Sequence, residues 1–194
     1  MAGALLTVVM PILAFAQSAT GFDGRLLCSA ATSALKQGTF RLPVGRVHLV
    51  NGKACVKPFE AYPGCEWSVN LIQAERWGVE AQFIVAAIEA IHDGPGAQLS
   101  VFIFPCRERA SESVFAETFG LRGASLVLGP ELSFDVIEGE WLPEDPGCCP
   151  SRERRTTYRW DARRSRFVQV GSKVTATERD QLPNTQLEPT PRGR

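Results

Sequence analysis

The chain has 194 residues, a length that fits one domain with tails and allows a sizeable buried core. Hydrophobic residues make up 44% and charged residues 22%, which excludes intrinsic disorder of the whole chain. Lysine plus arginine equals aspartate plus glutamate at 21 each, so no global field favours nucleic acid or an anionic membrane, and we expect neither partner.

The first predicted element is an uncharged apolar run at residues 4–16. It is shorter than the ~20 residues that span a bilayer, and its last three residues (AFA) have the small-x-small pattern that signal peptidase accepts. We therefore expect residues 1–16 to be an export signal cleaved before Gln17. An uncleaved membrane anchor and a buried N-terminal helix are the alternatives, and Pro11 argues against the helix.

The expected location of the mature protein is the periplasm or the outside of the cell. Cys28 follows Arg25-Leu26-Leu27 and stands apart from the apolar run, whereas a bacterial lipoprotein signal has a small residue directly before its cysteine. We therefore expect a soluble exported protein with no lipid anchor.

The next predicted element is a short helix from Asp23 to Lys36. Asp23 suits the cap at its start, and apolar residues from Leu27 to Leu35 recur at helical spacing. Gly38 is typical of a helix end. A helix packed on a sheet is the expected arrangement.

A hairpin is predicted at Asn51-Gly52, the preferred two-residue turn between antiparallel strands. The predicted strands are 47–50 and 53–56, which would place His48 opposite Cys55 on one face. His48 has the chemistry of a general base, but an ordinary strand histidine is the interpretation that we favour.

The middle of the chain contains two apolar runs on either side of a turn at 93–96. Residues 83–91 (FIVAAIEAI) fit either a strand or a helix, whereas residues 99–104 (LSVFIF) are rich in strand-forming residues and indicate a central strand. If both are strands, they form a buried hairpin. Residues 67–73 before them alternate only weakly.

Shorter strand patterns follow at 114–119, 124–128 and 132–137, separated by glycines. In the last of these Leu132, Phe134 and Val136 share a face, which is typical of a half-buried strand. Residues 154–160 and 166–170 form a final strand pair, with Tyr158 and Trp160 on the same face.

Periodicity is lost from Ser172 onward, so we expect residues 172–194 to be a flexible tail. Together the patterns predict one α+β domain at residues 17–171. It is mainly an antiparallel sheet with one or two helices packed on it.

Six cysteines follow the predicted signal, and an even count in an exported chain indicates a disulfide framework. A zinc site and buried free thiols are the alternatives. Zinc is disfavoured because the chain has only two histidines and its only closely spaced cysteines are adjacent. The disulfide candidates are Cys28, Cys55, Cys65, Cys106, Cys148 and Cys149.

Spacing alone does not choose among the 15 pairings that six cysteines allow. Cys55 and Cys65 flank a short loop and are easily bridged, and Cys106 ends an apolar strand that can reach the turn at 148–149. Cys148 and Cys149 either bond to each other or point to different partners, and we favour different partners because a bond between neighbours is strained.

The segment 140–151 (EWLPEDPGCCPS), followed by Tyr158-Arg159-Trp160-Asp161, resembles the LppP/LprE family of bacterial exported lipoproteins. That family has a tryptophan-bearing strand, an Asp-Pro turn, adjacent cysteines with proline, and an aromatic strand that ends in Trp-Asp. The likeness covers about residues 66–171. It implies an exported cell-envelope protein, without an established biochemical role for the family as a whole.

Many related exported proteins carry an acidic, glycine-rich loop before the long apolar run, and its alternating carboxylates can hold calcium. The corresponding residues 73–80 contain only Glu75 and Glu80 as acids, and Arg76 opposes a cation. We therefore expect no calcium and no other cofactor.

No nucleophile elbow, phosphate loop or dinucleotide fingerprint occurs in the sequence. Acidic residues between Glu138 and Asp145 suggest a carboxylate-pair hydrolase, but they lie in a charged, turn-rich stretch. We therefore expect a protein that is not an enzyme and has a structural or partner-binding role in the envelope, with an envelope protein as the partner.

Seven arginines fall within residues 152–166 and are interleaved with Tyr158 and Trp160. Guanidinium groups match phosphate, sulfate or carboxylate, so the alternative function is a binding module for an anionic polymer or ligand. The competing interpretation is a solvated sheet face, neutralised by the six acids between Glu131 and Asp145. The candidate anion-binding residues are Arg154, Arg155, Arg159, Arg164 and Arg166.

Overall fold

The computed structural model describes residues 21–23, 26, 28–106, 112–120, 122–146 and 149–177. One α-helix, α1 (Ala31–Lys36), follows a 3-10 turn at Cys28–Ala30, and a second 3-10 turn lies at Val79–Ala81. The strands are β1 (Gly21–Asp23), β2 (Thr39–Leu42), β3 (Gly45–His48), β4 (Lys53–Val56), β5 (Trp67–Trp77), β6 (Phe83–His92), β7 (Ala97–Pro105), β8 (Phe115–Phe119), β9 (Ala124–Leu128), β10 (Ser133–Glu140), β11 (Arg152–Asp161) and β12 (Arg166–Ala176).

Three antiparallel sheets account for these strands. A five-stranded sheet has the order β4-β5-β6-β7-β8, a three-stranded sheet the order β1-β2-β3, and a four-stranded sheet the order β12-β11-β10-β9. The expectation of a mainly antiparallel sheet is confirmed, and the described part of the chain contains a single short α-helix. None of its helices is long and apolar enough to cross a membrane.

The hairpin of β6 and β7 is the centre of the fold. Ile84, Ala86 and Ile88 face one hydrophobic core, whereas Val85 and Ala87 face another. Both faces of β6 are therefore buried, and this explains why its sequence is a continuous apolar run with no period of two. The run at 83–91 is a strand, and the predicted buried hairpin is confirmed.

The first core lies between the five-stranded sheet and a cover made of α1 and the three-stranded sheet. From this cover Leu35, Phe40 and Leu42 are buried, and the Phe40 ring packs 5.4 Å from Phe102 of β7. The strands of the cover have only three or four residues each. We call α1 and β1–β3 the small cover.

The second core lies between the other face of the five-stranded sheet and the four-stranded sheet, and it is mainly aromatic. Phe134 is 1% exposed, and its ring packs 5.0 Å from Phe115, 4.9 Å from Tyr158 and 5.4 Å from Phe167. Strands of up to 11 residues supply these rings. We call β9–β12 the large cover.

A bulge in β5 explains the weak alternation of residues 67–73. The register against β6 shifts between Leu71 and Gln73, which leaves Ile72 half exposed. Trp67 and Leu71 before the bulge pack on the first core, whereas Trp77 after it packs on the second, where its ring stacks 5.6 Å from Phe167. Because the bulge inserts one extra residue, side chains with the same alternation as Trp67 and Leu71 face the second core after it.

The predicted hairpin at Asn51-Gly52 is wrong in its strands but right in its turn. Val50 and Lys53 exchange backbone hydrogen bonds, and Asn51 and Gly52 both have positive φ, as a tight hairpin turn requires. The flanking strands, however, belong to different sheets. β3 pairs with β2 and β4 pairs with β5, so His48 lies opposite Thr39 and not opposite Cys55.

The predicted helix at 23–36 is wrong at Asp23 and at residues 28–30, which form a 3-10 turn, whereas residues 24, 25 and 27 lie outside the described residues. Asp23 does not cap a helix but ends β1, where its carboxylate binds the guanidinium nitrogens of Arg41 at 3.2 Å and Arg46 at 3.0 Å. The α-helix begins at Ala31 and ends at Lys36, before Gly38 as expected.

The last strand is longer than predicted. β12 continues to Ala176, beyond Ser172, because each of its residues from 171 to 176 pairs with β11. The predicted signal at 1–16 and the remainder of the predicted tail, 178–194, lie outside the described residues.

Two disulfides join described cysteines. Cys55 and Cys65 are linked across their short loop, with Cα atoms 5.1 Å apart. Cys106 is linked to Cys28, with Cα atoms 5.2 Å apart, so the expectation that it reaches the turn at 148–149 is wrong. The relation between Cys149 and Cys148 involves Cys148, which lies outside the described residues.

Candidate functional site

The seven arginines lie on the hairpin of β11 and β12, and Arg159 lies on the opposite face of β11 from Tyr158 and Trp160. Tyr158 and Trp160 face the second core, whereas Arg159 is exposed. This follows from the ladder with β10, in which the buried Phe134 lies opposite Tyr158 and Ser133 lies opposite Arg159. Next to the turn, the large cover therefore has aromatic side chains on its inner side and Arg159 on its outer side.

Two of the candidate arginines are neutralised by β10. The Arg154 guanidinium donates to the Glu140 carboxylate at 2.7 Å, and Arg155 contacts Asp135 at 3.3 Å. Asp135 also accepts a hydrogen bond of 2.7 Å from the Thr157 hydroxyl. Here the arrangement matches the solvated, ion-paired sheet face that was the competing interpretation.

The turn between β11 and β12 is organised by Asp161. Its carboxylate accepts hydrogen bonds from the backbone N–H groups of Arg163 at 3.0 Å and Arg164 at 3.2 Å. The Arg164 side chain also contacts this carboxylate at 3.6 Å. Such a side-chain-to-backbone closure is typical of aspartate in turns and displays both arginines to solvent.

The other arginines near the turn have no acidic partner among the residues that the structure describes. Within the described ranges Arg159, Arg163 and Arg166 form no salt bridge, although Arg166 lies opposite Asp161 in the ladder. The hairpin is therefore divided into a paired half, next to Glu140 and Asp135, and a basic half at the turn. We call Arg159, Arg163, Arg164 and Arg166 the basic turn.

A cavity of about 210 Å³ lies beside this turn, at one end of the second core. Its apolar wall consists of Phe83, Pro105, Val114 and Trp160, and Cys106 contributes to the lining. The polar residues of the lining are Gln82 and Ser165. The basic turn thus meets the cavity through Ser165.

A polar contact joins the five-stranded sheet to the large cover. The Tyr158 hydroxyl donates to the Glu117 carboxylate at 3.1 Å. Burial raises the pKa of Glu117 above its ordinary value of 4.5, against the lowering effect of the tyrosine hydrogen bond. Burial, together with the negative charge of Glu117, also raises the pKa of Tyr158.

The segment 140–151 is closed by Asp145. Its carboxylate accepts hydrogen bonds from the backbone N–H groups of Leu142 at 2.7 Å and Ser151 at 3.0 Å. These two bonds hold the pKa of Asp145 below its usual range. Asp145 thus joins the two ends of the loop that carries Cys149.

Two other candidates for chemistry are placed apart from the basic turn. His48 is exposed on β3, where its Nδ1 lies 3.0 Å from the Thr39 hydroxyl. Three of the carboxylates suggested for a hydrolase pair, those of Glu138, Glu140 and Asp145, bind backbone or arginine groups, as in the contact of Glu138 with the Gly120 N–H at 2.7 Å. Across the described ranges no group of three or more His, Cys, Asp or Glu side chains is arranged to hold a metal ion.

The cavity and Glu117 are the parts of this region that sequence reasoning missed. Their residues lie in or beside β6, β7, β8, β11 and the turn between β11 and β12. No local spacing connects Phe83 with Ser165 or Glu117 with Tyr158. Comparison with family models, with curated proteins and with solved structures found no match for this chain.

Proposed function

We propose that the protein is an exported binding domain of the bacterial cell envelope that carries out no reaction of its own. The observation that carries this proposal is the pair of disulfides, Cys28–Cys106 and Cys55–Cys65. Disulfides persist in oxidising compartments such as the periplasm and the cell exterior and are rare in the cytosol. The apolar run at 4–16 and the resemblance of the segment 140–151 to the LppP/LprE family support the same location.

Cell fractionation with N-terminal sequencing tests export. The mature protein is expected in the periplasm or the medium, with Gln17 as its first residue. Recovery from the cytosol with Met1 intact would contradict the proposal.

A second candidate function is the binding of an anionic polymer through the basic turn. The observation that favours it is the division of the hairpin. Arg154 and Arg155 are held by acids, whereas Arg159, Arg163 and Arg166 form no salt bridge within the described ranges. Unpaired guanidinium groups retain the donors that phosphate, sulfate or carboxylate groups accept.

Retention on heparin and polyphosphate resins tests this second candidate, because binding to a polyanion weakens steeply as salt rises. The triple variant Arg159→Gln, Arg163→Gln and Arg166→Gln is expected to elute at clearly lower salt than the unmodified protein. The matched control, Arg154→Gln with Arg155→Gln, is expected to elute close to it. Retention no better than on a neutral matrix would eliminate anion binding.

A further inference from the structure

Among the strands that the structure describes, β12 is the longest one at the edge of a sheet. The other edge strands, β1, β3, β4, β8 and β9, have three to five residues each, whereas β12 has 11. An edge strand carries a row of backbone N–H and C=O groups without ladder partners, and proteins usually limit this row by keeping edge strands short. β12 therefore offers a template for another strand that the other edges do not.

The second half of β12 is also open to solvent. Every residue from Gln169 to Ala176 is exposed, and Val170 and Val174 are 53% and 43% exposed. Residues 167–176 contain no proline, and Lys173 is their only charged residue. This lysine and a bulge at Val170, which has no ladder partner on β11, are the features of the segment that discourage pairing. An apolar pair of side chains thus lies beside a backbone edge that can accept a strand.

The sequence of β12 is complementary to itself about Ser172. When two copies of the strand run antiparallel with Ser172 on a two-fold axis, each Val170 lies opposite the partner's Val174. The same register places each Gln169 opposite the partner's Thr175. No other two-fold register of this strand pairs the two exposed valines with each other. Apolar β-branched pairs at directly opposite positions stabilise antiparallel strands.

Charge permits this pairing of two copies. The whole chain has 21 basic and 21 acidic residues, so no net charge drives two copies apart. In the register about Ser172 each Lys173 lies opposite the partner's Gly171, which brings the two lysines to diagonal positions. Repulsion between exposed charges is weak and is screened by salt. Pairing about Ser172 is therefore expected to tighten as the salt concentration rises.

We propose that the protein forms a homodimer in which the β12 strands of two copies pair antiparallel about Ser172. The two four-stranded sheets then join into one continuous sheet. The assembly is closed, because each copy uses its β12 edge in the pairing and its other described edges are short. One pair of strands buries little surface, so the dimer is transient, with a Kd on the order of 100 µM. The proposal depends on neither export nor anion binding.

Sedimentation equilibrium of the purified protein tests the dimer. The average mass is expected to rise from that of one chain towards that of two between about 10 µM and about 1 mM. At high salt the same rise is expected at lower protein concentration. A protein that stays monomeric over this range, that dissociates as salt rises, or that forms species larger than a dimer would overturn the proposal.

Disulfide cross-linking tests the register. Directly opposite residues of antiparallel strands have Cα atoms about 4.5–5.5 Å apart, which a disulfide can bridge. Ser172→Cys is therefore expected to give a covalent dimer on mild oxidation, with the new cysteine linked to its own copy in a peptide map. The matched control is Ser125→Cys, at an exposed serine on β9 of the same sheet, and it is expected to stay monomeric. Equal cross-linking of the two variants would contradict pairing through β12.

Substitutions at the valines and the lysine change the affinity in opposite directions. Val170→Lys with Val174→Lys is expected to weaken the dimer at least tenfold, because it places like charges opposite each other. Val127→Lys, at a valine that is 44% exposed on β9, is the control and is expected to leave the dimer unchanged. A folded double variant with unchanged dimerisation would refute the proposed interface.

Lys173→Gln removes the diagonal repulsion. It is expected to tighten the dimer about twofold at low salt and to have no effect at high salt. A gain of affinity cannot result from misfolding, so this variant remains informative even if the double lysine variant does not fold. Weaker dimerisation of the folded glutamine variant at low salt would contradict the register about Ser172.

Discussion

The two faces of the five-stranded sheet are covered in different ways. The large cover uses strands of 5 to 11 residues and a continuous set of aromatic contacts centred on Phe134. The small cover uses strands of three or four residues and a six-residue helix. The disulfide between Cys28, which begins the 3-10 turn before α1, and Cys106, which follows β7, ties the small cover to the central sheet.

This difference shows how each cover is held. Burial of large rings stabilises the large cover on its own, because each aromatic side chain removes much apolar surface from water. The small cover buries only one aromatic side chain, Phe40, against Phe134, Tyr158 and Phe167 in the large cover, and its short strands form few ladder hydrogen bonds. A covalent link that restricts the unfolded chain offsets this weakness.

Removal of the central ring of the large cover is expected to have the largest effect. Phe134→Ala is expected to lower the free energy of unfolding by about 3–5 kcal/mol, because it leaves a cavity in the middle of the second core. Urea denaturation measures this loss. Val127→Ala is the control, because Val127 is 44% exposed on the neighbouring strand, and its effect is expected to stay within about 0.5 kcal/mol.

Removal of the Cys28–Cys106 disulfide is expected to destabilise the protein next most strongly. Its cysteines are 78 residues apart, and the chain-entropy relation gives a decrease of about 4.5 kcal/mol in the free energy of unfolding. Disulfides typically contribute about 2–4 kcal/mol. In the variant Cys28→Ala with Cys106→Ala, hydrogen exchange is expected to accelerate first in β2 and β3, while amides of β10 and β11 stay protected.

Removal of the other disulfide is the matched control for this comparison. Cys55 and Cys65 are only 10 residues apart, and the same relation gives about 2.7 kcal/mol. Cys55→Ala with Cys65→Ala is expected to leave exchange in β2 and β3 unchanged. Equal acceleration there in both double variants would contradict the special role of Cys28–Cys106.

A smaller, pH-dependent effect is expected from Glu117, which lies between the central sheet and the large cover. Because burial raises its pKa above 4.5, the folded state binds this proton more tightly than the unfolded state. Stability is therefore expected to fall as the pH rises from 4.5 through the raised value. Glu117→Gln removes this dependence and raises stability at neutral pH by no more than about 1 kcal/mol, since the carboxyl is only half-buried.

Denaturant unfolding of both proteins between pH 4 and pH 8 measures this difference. A glutamine variant with the same pH slope as the unmodified protein would show that another group is responsible. Loss of stability confined to pH values above the raised pKa would show that the Tyr158 contact needs the charged carboxylate.

The smallest effect is expected at the exposed ion pair between Arg155 and Asp135. The Arg155 side chain is 54% exposed, and such pairs contribute up to about 1 kcal/mol. Arg155→Gln is expected to lower the melting temperature by only a few degrees, and less at high salt. A loss of stability as large as that of Phe134→Ala would mean that ion pairs on the outer face of the large cover contribute substantially to the stability of the fold.

The sequence was informative wherever structure depends on neighbours along the chain. The turn at Asn51-Gly52, the alternation of Phe134 and Val136, and the strand at 99–104 follow from local residue preferences. Whether β3 and β4 pair with each other is decided by the sheets on either side, which a turn does not reveal. β2 alternates between the buried Phe40 and Leu42 and the exposed Arg41. This period of two indicates a half-buried strand, so β2 of the three-stranded sheet was predictable from the sequence.

The candidate site was only partly predictable for the same reason. The cluster of arginines is visible in the sequence, and so is its interleaving with Tyr158 and Trp160. The register of β10 against β11 decides which arginines meet an acid, and it brings Glu140 near Arg154 while leaving Arg159 opposite Ser133. The cavity depends on contacts between two sheets and therefore has no local signature.

Peptide mapping under non-reducing conditions, with protein purified from its native host after alkylation of free thiols, tests most directly whether the small cover is tied covalently. We predict one linked peptide pair that contains Cys28 and Cys106 and a second that contains Cys55 and Cys65. Alkylated thiols at Cys28 and Cys106 would contradict the covalent tie, and alkylation of all four cysteines would also remove the main support for export.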